Sequence, residues 1–202
     1  MVVGEAEGLW PGVLEDIERG QARGIYRSAA PPDLAGTPVP RRDLLRNTAR
    51  RYATVHAVQT GRGCTHKCRF CSITAFFGAS HRVRPLENVL AELHDSPRNF
   101  MFVDDNIIAD RPYARRLFHA MIPMQKRWIS QCSLEIADDP ELLDLARRAG
   151  CRGLFIGIET ISQGNLTALE KGFNDSHGYA RRLRRIRRAG IGVQAAIIVG
   201  LD

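Results

Sequence analysis

The sequence predicts an α/β fold built on a parallel sheet, and three observations predict it. From about residue 50 onward, short apolar runs alternate with amphipathic stretches, the rhythm of strands joined by helical crossovers. Pro85 opens one amphipathic stretch and Gly150 closes another, as helix starts and stops require. Polar, chemistry-bearing residues recur just after each apolar run, where the carboxyl ends of parallel strands present ligands. Five such strands fit part of a β/α barrel or an open doubly wound sheet.

Thr54 to Thr60 (TVHAVQT) is the first strand and runs into Gly61-Arg62-Gly63. Pro85 to His94 is a helix, with Leu86, Val89, Leu90 and Leu93 on one face. Phe100 to Val103 (FMFV) reads as a buried strand and Arg111 to Met124 as the helix after it. Trp128 to Leu134 is a third strand, followed by a helix over Asp139 to Ala149. Leu154 to Ile158 (LFIGI) is the fourth strand, Ser176 to Ala189 a helix, and Gly192 to Val199 (GVQAAIIV) the fifth strand.

Ahead of this rhythm, Val2-Val3 reads as the end of a strand and Pro11 to Arg19 as a helix, too little to fold alone. Pro31, Pro32, Pro38 and Pro40, with Gly24 and Gly36, give the stretch between Ala22 and Arg42 the composition of a linker. The expected division is therefore 1–20 as a remnant, 21–50 as a linker and 51–202 as the main domain. The fifth strand finishes at Gly200-Leu201-Asp202 with no helix to cover it, although parallel strands are buried on both faces. Both ends read as cut.

With 44% hydrophobic and 25% charged residues over 202, the composition is that of a soluble globular protein able to bury a core. No basic-then-apolar leader opens it, and the most apolar stretch, Ile191 to Leu201, is far short of the ~20 residues of a membrane helix. Five cysteines, an odd number, without a leader point to a reducing compartment, the cytoplasm. The net charge is +7, yet Tyr179 to Ala189 (YARRLRRIRRA) alone holds six arginines and no acid. Tyr179, Leu183, Ile186 and Gly190 form one packed stripe there, leaving the arginines as a solvated outer face. Neither a membrane nor nucleic acid is an expected partner.

The polar residues after the strands carry the functional reading. Cysteines follow the first strand, Asp104-Asp105-Asn106 the second, and Ser133-Leu134-Glu135 close the third. Glu159-Thr160 follow the fourth and Gly200-Leu201-Asp202 the fifth. The cysteine loop itself, GCTHKCRFCSI, places Cys64, Cys68 and Cys71 at spacings of four and three. A disulfide would strand the third thiol. Zinc wants four ligands and could take His66 as the fourth, but its ligands usually come as two separated pairs. An iron–sulfur cluster takes thiolates on a tight loop, usually four. Supplying three leaves one iron open to another ligand, so the missing fourth cysteine is itself a functional feature.

The pattern CxxxCx-aromatic-C, here Cys64, Cys68, Phe70 and Cys71, resembles that of the radical S-adenosylmethionine superfamily, and the resemblance extends over about residues 50 to 202. It implies a partial (β/α)6 TIM-like barrel, truncated here after the fifth strand, and a 4Fe-4S cluster on the three cysteines. It also implies S-adenosylmethionine as cofactor, an external one-electron reductant such as flavodoxin or ferredoxin, a small-molecule substrate, and a 5′-deoxyadenosyl radical as the product of reductive cleavage. Carried over by position, Phe70 is the aromatic near the adenine. Asp104, Asp105 and Asn106 stand where many members have Gly-Gly-Glu for the methionyl ammonium, a departure from that motif. Glu159, in GIET, matches the acid that holds the ribose hydroxyls, and Gly200, in IIVGLD, lies in the fifth-strand motif beside the adenine. Lys171 falls in a region that sometimes supplies a cation for the cofactor carboxylate, although its position also suits an ordinary surface lysine. His66 could touch substrate or simply fill the loop, and Cys132 and Cys151 read as buried inert thiols.

Residues 1–20 resemble the last strand, turn and helix of the cobalamin-binding, Rossmann-like domain that precedes the radical core in one branch of the superfamily. That branch includes methyltransferases and tailoring enzymes, so the resemblance implies cobalamin as a further cofactor of the full-length parent. Two other readings stand beside it: a methylthiotransferase of the same superfamily, and a zinc-binding nucleic-acid module. The first looks for a second cysteine set ahead of the core, where this chain has no cysteine before Cys64.

Overall fold

The structure, a computed structural model, describes residues 1–45 and 56–201 and divides into two compact units, Met1–Val39 and Pro40–Asp202. In the first unit, β1 (Val2–Val3) leads to α1 (Trp10–Glu18), and the chain returns as β2 (Tyr26–Arg27), parallel to β1 with Val2 opposite Tyr26. Pro11 suits the first turn of α1, where a missing N–H costs no hydrogen bond. Val13 on the helix and Leu34 in a following turn are buried, and the Asp33 carboxylate caps that turn by accepting the Ala35 N–H at 2.9 Å. The stretch expected as linker thus contributes a paired strand.

The second unit is organised by a five-stranded sheet of β3 (Ala57–Val58), β6 (Asn99–Phe102), β7 (Arg127–Gln131), β8 (Cys151–Glu159) and β9 (Gly192–Ile197). Every neighbouring pair is parallel, and the spatial order follows the chain order. A doubly wound sheet reverses its order partway across; this one does not. Thr54 and Val55, at the start of the expected first strand, lie outside the described residues. Between the strands run α3 (Leu86–Asp95), α4 (Arg111–Met121), α5 (Pro140–Arg148), the short α6 (Gln163–Ala168) and α7 (Tyr179–Arg188). Asp110 and Asp139 cap α4 and α5, accepting the N–H groups of Tyr113 at 2.9 Å and Leu142 at 3.0 Å.

The fourth strand runs longer than expected, Cys151–Glu159, the fifth ends at Ile197 rather than Val199, and two further boundaries differ for local reasons. The helix over Arg111 to Met124 stops at Met121, because Pro123 has no N–H to continue the ladder, and Ile122–Met124 tighten into a 3-10 turn. The third strand stops at Gln131 rather than Leu134: the Asn106 side chain captures the Ser133 N–H at 3.1 Å, and Leu134–Asp138 curl into a 3-10 turn. The basic helix follows its periodicity in burying Tyr179 and Ile186 and turning Arg181, Arg184, Arg187 and Arg188 to solvent. Gly190, however, is exposed, and the Arg182 side chain, 13% exposed, is drawn in by an ion pair with Asp138 at 2.6 Å.

Strand alternation sends Phe100, Phe102, Trp128, Leu154 and Ile156 into the core beneath the helices. Trp128 is 1% exposed, stacks on Phe118 with centroids 5.2 Å apart, meets Phe102 edge-on, and donates its indole N–H to the Ala149 carbonyl at 3.0 Å. On the opposite face Val103, Ile129 and Phe155 are partly open among the described residues. Among these residues no helix is long and apolar enough to cross a membrane.

An antiparallel hairpin that the sequence reading does not anticipate joins β4 (Gly61–Gly63) to β5 (His81–Val83), with α2 (Ser72–Phe77) between them. The cysteine loop is therefore held between paired strands. Glycine is required on its entry side: a Cβ at Gly61 would stand 2.7 Å from the Arg82 carbonyl oxygen. At Gly63, with φ +87°, it would stand 2.2 Å from that of Ser80.

Candidate functional site

The cysteine loop opens onto a cavity of about 410 Å³ at the carboxyl ends of the sheet strands. Cys64, Cys68 and Cys71 all line it, as do Asp105 and Asn106 after β6, Ser133 after β7, Glu159 at the end of β8 and Ile198 just past β9. Phe70 lines it as well while remaining 42% exposed. The topology thus brings chemistry from four strand ends to one place, and the fifth closes the wall with the apolar Ala196 and Ile198. Asp104 and Gly200 do not line the cavity.

Asp104 has a different occupation. It is 1% exposed, and its Oδ1 accepts the Thr60 hydroxyl at 2.6 Å, the Gly61 N–H at 2.8 Å and the Thr60 N–H at 3.1 Å. Its neighbour Asp105 accepts the Gly63 N–H at 2.8 Å. The two carboxylates therefore staple β4, and with it the start of the cysteine loop, to the end of β6. Asn106 is likewise committed, its oxygen accepting from Ser133 and Ile108.

Burial pushes the Asp104 carboxyl up from its ordinary 3.8 to about 6, against the pull of the Thr60 and Gly61 donors. Because the folded value lies above the unfolded one, the folded protein keeps a proton that the unfolded chain has released between pH 4 and 6. Stability accordingly falls as pH rises through that window, by about 3 kcal/mol at ~1.4 kcal/mol per unit. Asp104→Asn, which retains an oxygen for the Thr60 and Gly61 donors, is expected to flatten this descent in urea-unfolding free energies measured across pH 4 to 7. An unchanged slope would remove Asp104 as its source.

Glu159 sits where the β8–β9 register shifts and takes a left-handed conformation, φ +64°, unusual for a side chain of its size. Its carboxylate is not free: Oε1 meets Lys171 Nζ at 2.8 Å, with the two side chains only 8% and 11% exposed. Lys171 is thus a buried cation rather than a surface lysine, and its ammonium lies 5.6 Å and 5.7 Å from the ring centres of Phe70 and Phe173. Gly157 makes room for the pair, since a Cβ there would fall 2.1 Å from Glu159 Oε1 and 2.8 Å from Lys171 Nζ. The glycine of GIET is part of the site.

His66 also has partners that its place in the sequence does not disclose. Its ring stacks on Phe173 with centroids 3.6 Å apart and planes 9° from parallel, and its Nε2 lies 2.9 Å from Glu135 Oε2. The hydrogen bond from His66, more than that from Ser133 Oγ, holds the Glu135 carboxyl below its usual range despite burial. Phe173 was not singled out by the sequence; a lone aromatic between Gly172 and Asn174 carries no periodicity that could reveal it.

All five cysteines are free thiols. Burial raises Cys64 and Cys68; the His66 backbone and the Asn106 side chain oppose this at Cys64, and the Lys171 charge opposes it at Cys68. Burial lifts Cys132 well above the ordinary thiol value and Cys151 to about 12, which keeps both protonated and inert. Cys132 nevertheless reaches the cavity wall. Among the described residues no three Cys, His, Asp or Glu side chains converge as a single metal ion requires. Three thiols spread around one cavity suit a larger group, and His66 is engaged with Glu135 rather than turned towards the cysteines as a fourth ligand.

The model of the radical SAM superfamily matches residues 58–202 of the chain. An uncharacterised methyltransferase of Synechocystis sp. is 32% identical over 213 residues, covering 100% of the chain and 39% of that protein. The bacteriochlorophyllide d C-12(1)-methyltransferase of Chlorobaculum tepidum is 27% identical, covering 100% of the chain and 46% of that protein. The chain spans less than half the length of either. Among solved structures, the cobalamin-dependent S-adenosylmethionine radical enzyme OxsB with aqua-cobalamin bound superimposes with a TM-score of 0.80 at 16% identity, over 96% of the chain and 32% of OxsB. At that identity the likeness is one of fold.

Proposed function

The chain belongs to the radical SAM superfamily, and on that premise we propose that it holds a 4Fe-4S cluster on Cys64, Cys68 and Cys71 and binds S-adenosylmethionine beside it. When bound, the cluster supplies one electron to the sulfonium of S-adenosylmethionine, releasing methionine and a 5′-deoxyadenosyl radical. The observation that carries this reading is the convergence of exactly three loop thiols with a buried cation and carboxylate, Lys171 and Glu159, on one cavity.

The residues have distinct tasks. Asp104 and Asp105 fix the approach to the cysteine loop from below. Asp105 and Asn106 face the methionyl end of the ligand and Phe70 the adenine, while Gly200, which does not line the cavity, is left out of the ligand contacts. Glu159 accepts the ribose hydroxyls once Lys171 is drawn towards the ligand carboxylate, so binding exchanges one buried ion pair for two contacts. The half-buried walls limit water around the reacting carbon.

The sheet is read as five strands of a partial (β/α)6 barrel, an assignment its unreversed strand order supports. The first unit is read as the end of a cobalamin-binding, Rossmann-like domain. Its parallel strand–helix–strand arrangement supports that reading and moves the proposed boundary from residue 20 to about Val39. The parent protein then uses cobalamin for methyl transfer to, or tailoring of, a small molecule in the cytoplasm, with flavodoxin or ferredoxin as electron donor.

After anaerobic reconstitution and reduction with dithionite, a protein extended at both ends is expected to convert S-adenosylmethionine to 5′-deoxyadenosine. A protein extended upstream by a full domain is expected to retain cobalamin through gel filtration, whereas residues 1–202 alone are not, because one strand–helix–strand unit cannot enclose a corrin. Loss of cobalamin from the extended protein would remove the branch assignment and leave the radical core standing.

A further inference from the structure

We propose that His66 is a positioning residue that sets the orientation of the cysteine loop through two simultaneous contacts, a face-to-face stack on Phe173 and a hydrogen bond to Glu135. The proposal rests on the function proposed above for its second measurement, and on the fold alone for its first.

His66 stands midway between Cys64 and Cys68, so any rotation of its backbone displaces both thiols. The residues flanking it, Thr65 and Lys67, are exposed, while the His66 side chain is only 23% exposed and lines the cavity. Between these two exposed residues the loop turns the His66 side chain inward, between two partners that are themselves held. Glu135 receives a hydrogen bond from Ser133 Oγ at 3.0 Å and faces Arg111 at 3.4 Å. Phe173 presents its other contact to the Lys171 ammonium, which is paired with Glu159. The resulting line of contacts, Glu135–His66–Phe173–Lys171–Glu159, runs from the end of β7 to the end of β8 across the base of the loop.

The two contacts constrain different motions. A stack at 3.6 Å and 9° fixes the plane of the imidazole but leaves it free to slide and spin within that plane. The hydrogen bond at 2.9 Å fixes the direction of Nε2 within the plane. Together they leave the ring a single placement, and the loop atoms attached to it follow. A residue that merely filled space would need neither the parallel ring nor the directed nitrogen. Histidine is the side chain that supplies both.

Two variants separate the contributions: His66→Phe retains the stack without the hydrogen bond, and His66→Gln retains a donor without the stack; His66→Ala removes both. The first measurement uses the metal-free protein and iodoacetamide, with each cysteine followed by peptide mass spectrometry. Cys68, buried in the intact loop, is expected to alkylate at least fivefold faster in His66→Ala and by intermediate amounts in the other two. Unchanged Cys68 rates in all three overturn the proposal, whatever the protein does with iron. The second measurement uses reconstituted protein. His66→Ala is expected to bind S-adenosylmethionine about tenfold more weakly, and to lose most of the change that S-adenosylmethionine causes in the electron paramagnetic resonance spectrum of the reduced cluster. His66→Phe and His66→Gln are each expected to restore part of that change. Full loading with an unaltered spectral response in His66→Ala overturns the proposal. If the unmutated protein takes up no iron, the function proposed above fails, and the alkylation rates still decide the role of His66.

Discussion

Replacing any one of Cys64, Cys68 or Cys71 by alanine is expected to abolish cluster loading, the largest single effect open to a side-chain change in this chain. The unmutated protein is expected to take up roughly four irons and four sulfides on anaerobic reconstitution. With three protein thiolates there is no spare ligand: removing one leaves two irons without protein sulfur, and the loop offers no side chain to replace it, because His66 is occupied by Glu135 and Phe173. Cys132→Ser and Cys151→Ser are the controls. Their thiols are held protonated by burial, so both variants are expected to load fully, with stability lowered by about 1–3 kcal/mol for a hydroxyl placed in an apolar site. The measurement is iron and acid-labile sulfide per chain. Stoichiometric zinc without sulfide would sink the cluster reading and revive the zinc module.

Glu159→Ala is expected to have two separable consequences. It leaves the Lys171 ammonium buried without its counter-charge, and removing one partner of a buried pair typically costs about 3–5 kcal/mol of stability. It also removes the acceptor proposed for the ribose hydroxyls, worth ~1.5–3 kcal/mol, or about tenfold and more in S-adenosylmethionine affinity. Glu159→Gln combined with Lys171→Met removes both charges. That pair is expected to recover most of the stability while leaving ligand binding weak, which divides folding from recognition. Glu170→Ala, at an exposed carboxylate that does not line the cavity, is the matched control. Isothermal titration and chemical unfolding on extended protein make the comparison. Equal isotherms for Glu159→Ala and the unmutated protein would take Glu159 out of the site. Gly157→Ala probes the same pair from the backbone side and should weaken binding without touching either charge, since its methyl occupies the space of Oε1.

What the sequence determined by itself was whatever depends on short-range regularity. Apolar period and helix punctuation placed all five sheet strands and the long helices, because alternation and capping act over a few neighbouring residues. The cysteine spacing singled out the loop, since chelation by one loop is a local property. Tertiary structure decided the rest. The β4–β5 hairpin escaped notice because its glycines read as a turn, and only the facing carbonyls of Arg82 and Ser80 explain why no side chain is allowed there. Asp104 and Asp105 look alike in the sequence. Packing buries the first against Thr60 as a staple and leaves the second on the cavity wall, a distinction made by residues more than 40 positions away. Lys171 is an ordinary lysine by composition; only the fold of the segment after β8 brings it 2.8 Å from Glu159 and beneath two aromatic rings. His66, Glu135 and Phe173 meet from three separate segments. No periodicity links them, because a contact across strand ends is set by sheet order and loop path, and these exist only once the whole sheet has formed.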